Sequence, residues 1–224
     1  MSDTFKKALR VLRTRPTSFL GYFGQYFRFA RTRWFSFLAY TPANGIHFGE
    51  NVRIQSLRCL AAERPAANIT VGSDTVIYEN ARIGANGTGS ITIGEGSIIG
   101  DVRIYSRASI TMGKRVITSW NVFIQDFDPH PIEPEVRGLQ LRHLTESFRP
   151  SYRSARTLEK FEWKFPVAAI TIGDDVWLGA NTTVLKGAHI GNGCIVATGC
   201  VVLAGTYPDR SIIAGVPGKV ISKV

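Results

Sequence analysis

The feature that most constrains the fold of this chain is a six-residue repeat. Between residues 170 and 202, aliphatic side chains recur at every sixth position, and small or β-branched side chains follow four positions after them. A period of six matches neither the 3.6 residues of a helical turn nor the two-residue alternation of a strand. It predicts a parallel β-helix whose coils each contain three short strands. The aliphatic positions are Ile172, Leu178, Val184, Ile190, Val196 and Val202; the small ones are Val176, Thr182, Ala188, Cys194 and Cys200.

We expect both kinds of repeat position to point into the prism, the aliphatic residue at a corner and the small residue where space is limited. Glycine follows the aliphatic residue at positions 173, 179 and 191, where we expect it to provide a turn with positive φ. The same rhythm recurs less regularly upstream, so the repeat covers most of residues 46–206. An antiparallel β-sandwich is the alternative fold, but it does not explain a period of six.

The repeat is interrupted once at length, by residues 125–169. A long loop inside a compact repeat is usually functional, and each coil contacts only its neighbours, so a loop can leave without disturbing them. His130 lies near the start of this loop between Pro129 and Pro131, with Asp126 and Asp128 close in sequence. We therefore expect the functional residues to lie in this loop.

Three segments resemble the hexapeptide-repeat acyltransferases, in particular their sugar O-acetyltransferases. These are residues 126–131 (DFDPHP), 176–181 (VWLGAN) and 213–220 (IAGVPGKV). The resemblance implies an all-β, left-handed parallel β-helix, a homotrimer and acetyl-CoA as acyl donor without a metal. It also implies that His130 is the general base and that Asp126 or Asp128 holds the imidazole tautomer; the sequence does not choose between the two.

Acyl transfer from a thioester requires little beyond a general base. A thiol with a pKa near 8.5 leaves readily as thiolate, whereas an acceptor hydroxyl ionises far too weakly to attack unaided. An imidazole with an ordinary pKa of about 6.5 is neutral enough at pH 7 to take the hydroxyl proton during attack. His47, His143 and His189 lie outside the motif and are weaker candidates.

Coenzyme A contacts are implied by the same resemblance in the C-terminal coils. They fall on Trp177, Ala180, Lys186, Thr198 and Lys219, although each lysine could equally be a solvated surface charge. The loop over residues 133–166 is rich in arginine and aromatic residues, which suit anionic or saccharide acceptors. Arg153 and Trp163 are its predicted acceptor contacts, and a basic loop that only covers a neighbouring subunit is the alternative.

The chain has 224 residues and a net charge of +10, and its first forty residues carry eight basic side chains against one acidic. Aromatic residues alternate with these charges, so residues 1–45 are predicted to form a helical arm. The arm could pack on the prism or a neighbouring subunit, contact an anionic membrane peripherally, or bind an anionic glycan. No nucleic-acid motif accompanies the charge. The sequence contains no run of eighteen apolar residues, which is the length that would predict a membrane span.

The predicted organisation is an arm (1–45), a β-helix (46–208) with its inserted loop (125–169), and a C-terminal tail (209–224). Cys59, Cys194 and Cys200 form no metal or disulfide pattern, which favours packing roles and a reducing cytoplasm, with the inner membrane face as the place of any lipid contact. The predicted function is O-acetylation of a carbohydrate hydroxyl in a surface polysaccharide or its precursor. The alternatives are N-acetylation of an amino sugar nucleotide, a zinc-dependent γ-type carbonic anhydrase, and a non-catalytic scaffold.

Overall fold

The computed structural model describes residues 24, 27, 30, 42–147 and 163–224. The predicted N-terminal arm therefore lies almost entirely outside the described residues, as does the middle of the inserted loop with Arg153. A short 3-10 turn at Pro42–Asn44 leads into the first strand. Among the described residues, no helix is long and apolar enough to cross a membrane.

The described strands form three sheets, and each sheet receives one strand from each successive coil. Sheet A contains β1 (Ile46–Phe48), β4 (Asn68–Val71), β7 (Ser90–Ile93), β10 (Ser109–Met112), β13 (Ile170–Ile172), β16 (Ala188–Ile190) and β19 (Gly205–Tyr207). Sheet B contains β2 (Arg53–Ile54), β5 (Val76–Ile77), β8 (Ile98–Ile99), β11 (Ile117–Thr118), β14 (Trp177–Leu178), β17 (Ile195–Val196), β20 (Ser211–Ala214) and β21 (Lys219–Lys223). Sheet C contains β3 (Leu60–Ala62), β6 (Arg82–Ala85), β9 (Val102–Ser106), β12 (Val122–Gln125), β15 (Thr183–Leu185) and β18 (Val201–Val202).

The register of these sheets confirms the parallel β-helix. In the C-terminal coils, Ile172 pairs with Ile190 and Thr183 with Val201, so one coil spans three six-residue repeats. Consecutive strands within each sheet are parallel, except that β21 turns back antiparallel on β20 at the C-terminal end. The left-handed winding stays a prediction from the family resemblance. The helix α1 (Pro134–Ser147) lies in the insertion between β12 and β13.

The core of the prism consists of the side chains that the repeat predicts to point inward. All eleven aliphatic and small positions between residues 172 and 202 are buried, none more than 3 % exposed. Burying one Val, Leu or Ile side chain contributes about 1.5–3 kcal/mol, so the column of such residues is the main source of stability. Thr182 adds its hydroxyl as a donor to the carbonyl of Gly179, at 2.8 Å. This hydrogen bond is what permits a polar side chain inside the prism.

The repeat glycines pack closely against the next coil, and the prediction that they provide positive φ is wrong for Gly173, Gly179 and Gly191. The left-handed conformation falls two residues later, at Asp175 (φ 57°), whereas Gly173 does not adopt it. A Cβ on Gly173 would lie 2.7 Å from the backbone nitrogen of Asn192 in the next coil. Real Cβ atoms almost never come that close. Glycine is required there because the next coil's backbone occupies the space of a side chain.

The outer faces of the sheets differ in polarity. On sheet B, outward-facing apolar side chains stack in register from coil to coil, while the outward column of sheet A is mostly threonine. The central members of the sheet B column are between 41 % and 49 % exposed in the single chain. Sheet B therefore presents a continuous apolar surface to its surroundings. Its column comprises Val76, Ile98, Ile117, Trp177, Ile195 and Ile212.

Candidate active site

The insertion leaves and rejoins the prism through a short antiparallel clasp. Phe127 pairs with Val167, and the amide of Asp128 donates to the carbonyl of Pro166 at 3.0 Å. The rings of Phe127 and Phe165 meet edge to face at 5.6 Å, and the guanidinium of Arg107 lies 3.7 Å from the centre of the Phe165 ring. Hydrogen bonds, aromatic packing and a cation–π contact thus hold the two ends of the insertion on the coils.

Asp126 lies where the insertion leaves the prism. Its side chain is fully buried, and its carboxylate binds the preceding coil. Its oxygens accept hydrogen bonds from the Ser106 hydroxyl at 2.6 Å, the Arg107 amide at 2.8 Å and the Ala108 amide at 3.1 Å. Its own carbonyl accepts from the amide of Ala168, where the insertion returns. The structure therefore places Asp126 as a link between the turn at residues 106–108 and both ends of the insertion.

Asp128 forms an ion pair with Lys186, which belongs to the next coil. The carboxylate oxygen and the lysine nitrogen are 3.2 Å apart, and both side chains are about one-third exposed. Lys186 was expected to contact coenzyme A phosphates, yet in this structure its charge is matched by Asp128. The pair ties the start of the insertion to the turn after β15.

His130 is exposed at the surface of the insertion, and its ring is held by a side chain that the sequence pattern did not indicate. Its Nδ1 lies 2.9 Å from Oε1 of Gln140, a residue of α1 that is 7 % exposed. The amide nitrogen of Gln140 donates to the carbonyl of Pro129 at 3.0 Å. Arg137 donates to the carbonyls of Pro131 and Ile132, both at 2.9 Å. The helix thus holds the backbone on either side of His130 as well as its ring.

Trp177 stands on the outer face of sheet B, half exposed, and its indole nitrogen donates to the hydroxyl of Ser119 at 3.1 Å. Ala180 and Thr198 occupy the same corner, between sheets B and C, one coil apart. Lys219 begins β21 and is exposed. One side of the prism therefore carries Trp177, Ala180 and Thr198, whereas Lys186 lies at the corner between sheets C and A with the insertion.

Comparison with known proteins places the chain in a family. The model of the bacterial transferase hexapeptide (six repeats) matches residues 169–204, and that of the hexapeptide repeat of succinyl-transferase matches residues 74–100. The chain is 34 % identical over 178 residues to WbbJ of Escherichia coli K12, a protein assigned to lipopolysaccharide biosynthesis as an O-acetyl transferase; the match covers 79 % of this chain and 81 % of WbbJ. The chain belongs to the hexapeptide-repeat acyltransferase family.

Two solved structures share the fold of this hexapeptide-repeat acyltransferase. The polysialic acid O-acetyltransferase OatWY superposes with a TM-score of 0.57 at 23 % identity, over 80 % of this chain and 74 % of OatWY. AntD, an N-acyltransferase from Bacillus cereus solved with dTDP and coenzyme A, gives a TM-score of 0.55 at 19 % identity, over 79 % of this chain and 83 % of AntD. At these identities the likeness is evidence for the β-helix alone.

An open groove runs along the corner between sheets B and C in the first four coils of this hexapeptide-repeat protein. Two exposed aromatic rings, Tyr78 and Trp120, stand on it, and Trp120 is 76 % exposed. Glu79 and Asp101 provide carboxylates, and Gln55 and Asn80 provide amides. Aromatic faces with planar polar groups are the features that suit a sugar ring. The signal in the sequence was a pair of aromatic residues at turn positions, which composition alone does not distinguish from scattered surface residues.

The insertion also contains Trp163, one of the two predicted acceptor contacts. It lies just before the clasp, half-buried, and its indole nitrogen is enclosed. Arg153, the other, lies outside the described residues. Among residues 42–147 and 163–224, no three His, Cys, Asp or Glu side chains are grouped as metal ligands.

Proposed function

We propose that this protein is an acetyl-CoA-dependent O-acetyltransferase that modifies a carbohydrate hydroxyl, with His130 as general base. The observation that carries the proposal is the exposed His130 ring, held by a buried glutamine on an insertion that is anchored to the coils before and after it. The relationship to WbbJ, an O-acetyl transferase by name, supports the choice of oxygen as the acceptor atom.

The reaction needs one proton acceptor. The imidazole of His130 takes the proton from the acceptor hydroxyl while the hydroxyl oxygen bonds to the thioester carbonyl carbon. The tetrahedral intermediate collapses with cleavage of the carbon–sulfur bond, and the leaving thiolate receives the proton from the imidazolium. The products are the acetyl ester and the free thiol, and His130 is again neutral. A general base of this kind contributes about 10²–10⁴-fold to the rate.

We infer that the working enzyme is a homotrimer and that each active site lies between two copies. The apolar column on sheet B supports association, because a monomer rarely exposes so continuous an apolar surface. The insertion and the groove lie at different corners of one prism, so a second copy could bring its groove to the His130 of the first. Trp177, Ala180, Thr198 and Lys219 would then bind coenzyme A along the cleft between prisms.

This assembly is tested with the substitution Ile117→Glu. Ile117 is in the middle of the apolar column and 46 % exposed in the single chain, so a carboxylate there should not disturb the core but should be costly to bury between copies. We expect sedimentation velocity to show mainly single chains and the transferase activity to fall with the assembly. Retention of the wild-type oligomer by the variant would contradict the proposed interface. The matched control is Thr111→Glu on the threonine column of sheet A, which should leave the assembly intact.

The acceptor is proposed to be a sugar of a surface polysaccharide or of its lipid-linked precursor. The aromatic and polar lining of the groove supports a saccharide, with Arg153 and Trp163 as further contacts from the insertion. The basic, aromatic composition of residues 1–45 supports peripheral contact with an anionic membrane at its cytoplasmic face. WbbJ, assigned to lipopolysaccharide biosynthesis, supports the same acceptor class.

The experiment that tests the function compares His130→Ala with His189→Ala. His189 is an exposed ring on sheet A that contacts the Thr171 hydroxyl, so it controls for loss of a surface imidazole. With acetyl-CoA and a panel of oligosaccharides, released thiol and acetylated sugar are both measured. We expect His130→Ala to lower kcat about 10²–10⁴-fold with the affinity for acetyl-CoA unchanged, and His189→Ala to match the wild type. Wild-type turnover by His130→Ala overturns the role of the base. Acetylated products that are all amides, with no ester, overturn O-acetylation.

A further inference from the structure

The hydrogen bonds of Gln140 determine which nitrogen of His130 carries the proton. A side-chain amide has an oxygen that only accepts and an NH2 group that only donates. The carbonyl of Pro129 can only accept, so the NH2 group of Gln140, 3.0 Å away, must face it. The amide oxygen then faces Nδ1 of His130 at 2.9 Å. Reversing the amide would set an oxygen against the Pro129 carbonyl, which is repulsive.

Because the Gln140 oxygen can only accept, Nδ1 of His130 must be the protonated nitrogen. In a neutral imidazole only one nitrogen carries hydrogen, so the lone pair is on Nε2. We propose that Gln140 is a positioning residue that holds His130 in this tautomer and directs Nε2 toward the acceptor hydroxyl. This inference rests on the proposed role of His130 as general base.

The two carboxylates of the motif, Asp126 and Asp128, are engaged elsewhere. Asp126 is occupied by three donors at residues 106–108, and Asp128 is paired with Lys186. The charged groups in contact with the His130 segment are this ion pair and Arg137, whose guanidinium binds the carbonyls that follow His130. Glu133 and Glu135 follow the segment in sequence and are exposed. The only side chain in hydrogen-bond contact with the His130 ring among the described residues is a neutral amide.

A neutral partner has a chemical consequence. A carboxylate on Nδ1 would stabilise the imidazolium and keep the base protonated to higher pH, whereas an amide fixes the tautomer without adding charge. Gln140 is buried on α1, and α1 belongs to the insertion, so His130 and its positioning residue lie in the same segment of the chain. The orientation of Nε2 is therefore set within the insertion and not by the coils.

The experiment compares Gln140→Leu and Gln140→Glu with wild type in steady-state assays from pH 5 to 9. Gln140→Leu removes the acceptor for Nδ1–H, so we expect kcat to fall about 10- to 100-fold, a part of the contribution of the base, with KM for acetyl-CoA unchanged. Gln140→Glu keeps an acceptor for Nδ1–H and adds a negative charge, but it replaces the donor to the Pro129 carbonyl with an oxygen, so it should recover only part of kcat at high pH. Its rate should fall off on the acid side at a pH about one unit higher than wild type. Leu141→Ala, at an exposed neighbour on α1, is the control and should match wild type.

A direct reading of the tautomer keeps the inference falsifiable if the variants fold poorly. In protein labelled with ¹⁵N-histidine, the His130 ring should show a protonated Nδ1 and an unprotonated Nε2 at pH 8, assigned by loss of the signal in His130→Ala. A protonated Nε2 overturns the inference. An inactive His130→Ala beside a Gln140→Leu with wild-type kcat, or an unshifted acid side in Gln140→Glu, overturns the role of Gln140 alone. A fully active His130→Ala overturns the proposed base, and the role of Gln140 with it.

Discussion

The replacement of Asp126 by asparagine tests whether this carboxylate is structural. Each of its oxygens accepts at least one hydrogen bond from residues 106–108, and the side chain is completely buried. An asparagine has only one accepting oxygen, so an NH2 group must take the place of the other. Whichever way the amide turns, one backbone N–H, that of Arg107 or that of Ala108, then faces another donor.

The expected loss follows from these contacts. A buried donor left without a partner costs about 1–3 kcal/mol, and the remaining bonds weaken because the acceptor is no longer charged. We therefore expect Asp126→Asn to lower the free energy of unfolding by about 2–4 kcal/mol. For a chain of this size, 1 kcal/mol shifts Tm by about 2–4 °C, so 3 kcal/mol corresponds to about 6–12 °C.

The assay is thermal unfolding followed by circular dichroism, with Asp128→Asn as the matched control. The ion pair of Asp128 with Lys186 is about one-third exposed on both sides, and such pairs contribute about 0–1 kcal/mol, hence at most about 4 °C. Equal melting of Asp126→Asn and wild type would refute the structural argument. If it also loses turnover while melting normally, Asp126 acts in catalysis, as the motif alone implied.

Two further predictions concern packing and thiol reactivity. Gly173→Ala should lower the free energy of unfolding by about 1–3 kcal/mol because its Cβ would press on the backbone of Asn192. Gly138→Ala, with open space inside α1, should raise it by about 0.5–1 kcal/mol. Chemical denaturation measures both changes, and a Gly173→Ala variant as stable as wild type would contradict the argument. Folded protein should not react with a disulfide reagent at pH 7, because all three thiols are buried and burial raises the pKa of two of them. Unfolded protein should react at three thiols per chain. Rapid labelling of the native chain would show that the coils open. The three are Cys59, Cys194 and Cys200, of which Cys59 and Cys200 have the raised pKa.

The fold could be predicted because every coil repeats the same inward pattern, and the burial of Val176, Thr182 and Cys194 follows from their position in it. The reason for the glycines was not predictable, since a close approach between coils leaves no trace within one repeat. The position of Asp126 did have a signal. Inward and outward residues alternate along β12, and continuing that alternation by one residue turns Asp126 inward. The Asp-rich motif instead implies a role for Asp126 beside His130, which the alternation along β12 does not.

Gln140 illustrates the limit of pattern-based inference at the active site. Its contact with His130 depends on α1 folding back over the loop that precedes it, and neither residue is part of a periodic pattern. The motif therefore pointed to His130 as the proposed base but not to Gln140, which contacts its ring. Two separate sets of contacts hold the insertion and the His130 ring: Asp126 and the clasp bind the insertion to the prism, and Gln140 contacts the imidazole within the insertion. Loss of the first should lower stability, and loss of the second should lower kcat while Tm changes less. The two variants Asp126→Asn and Gln140→Leu therefore separate anchoring of the insertion from orientation of the His130 ring.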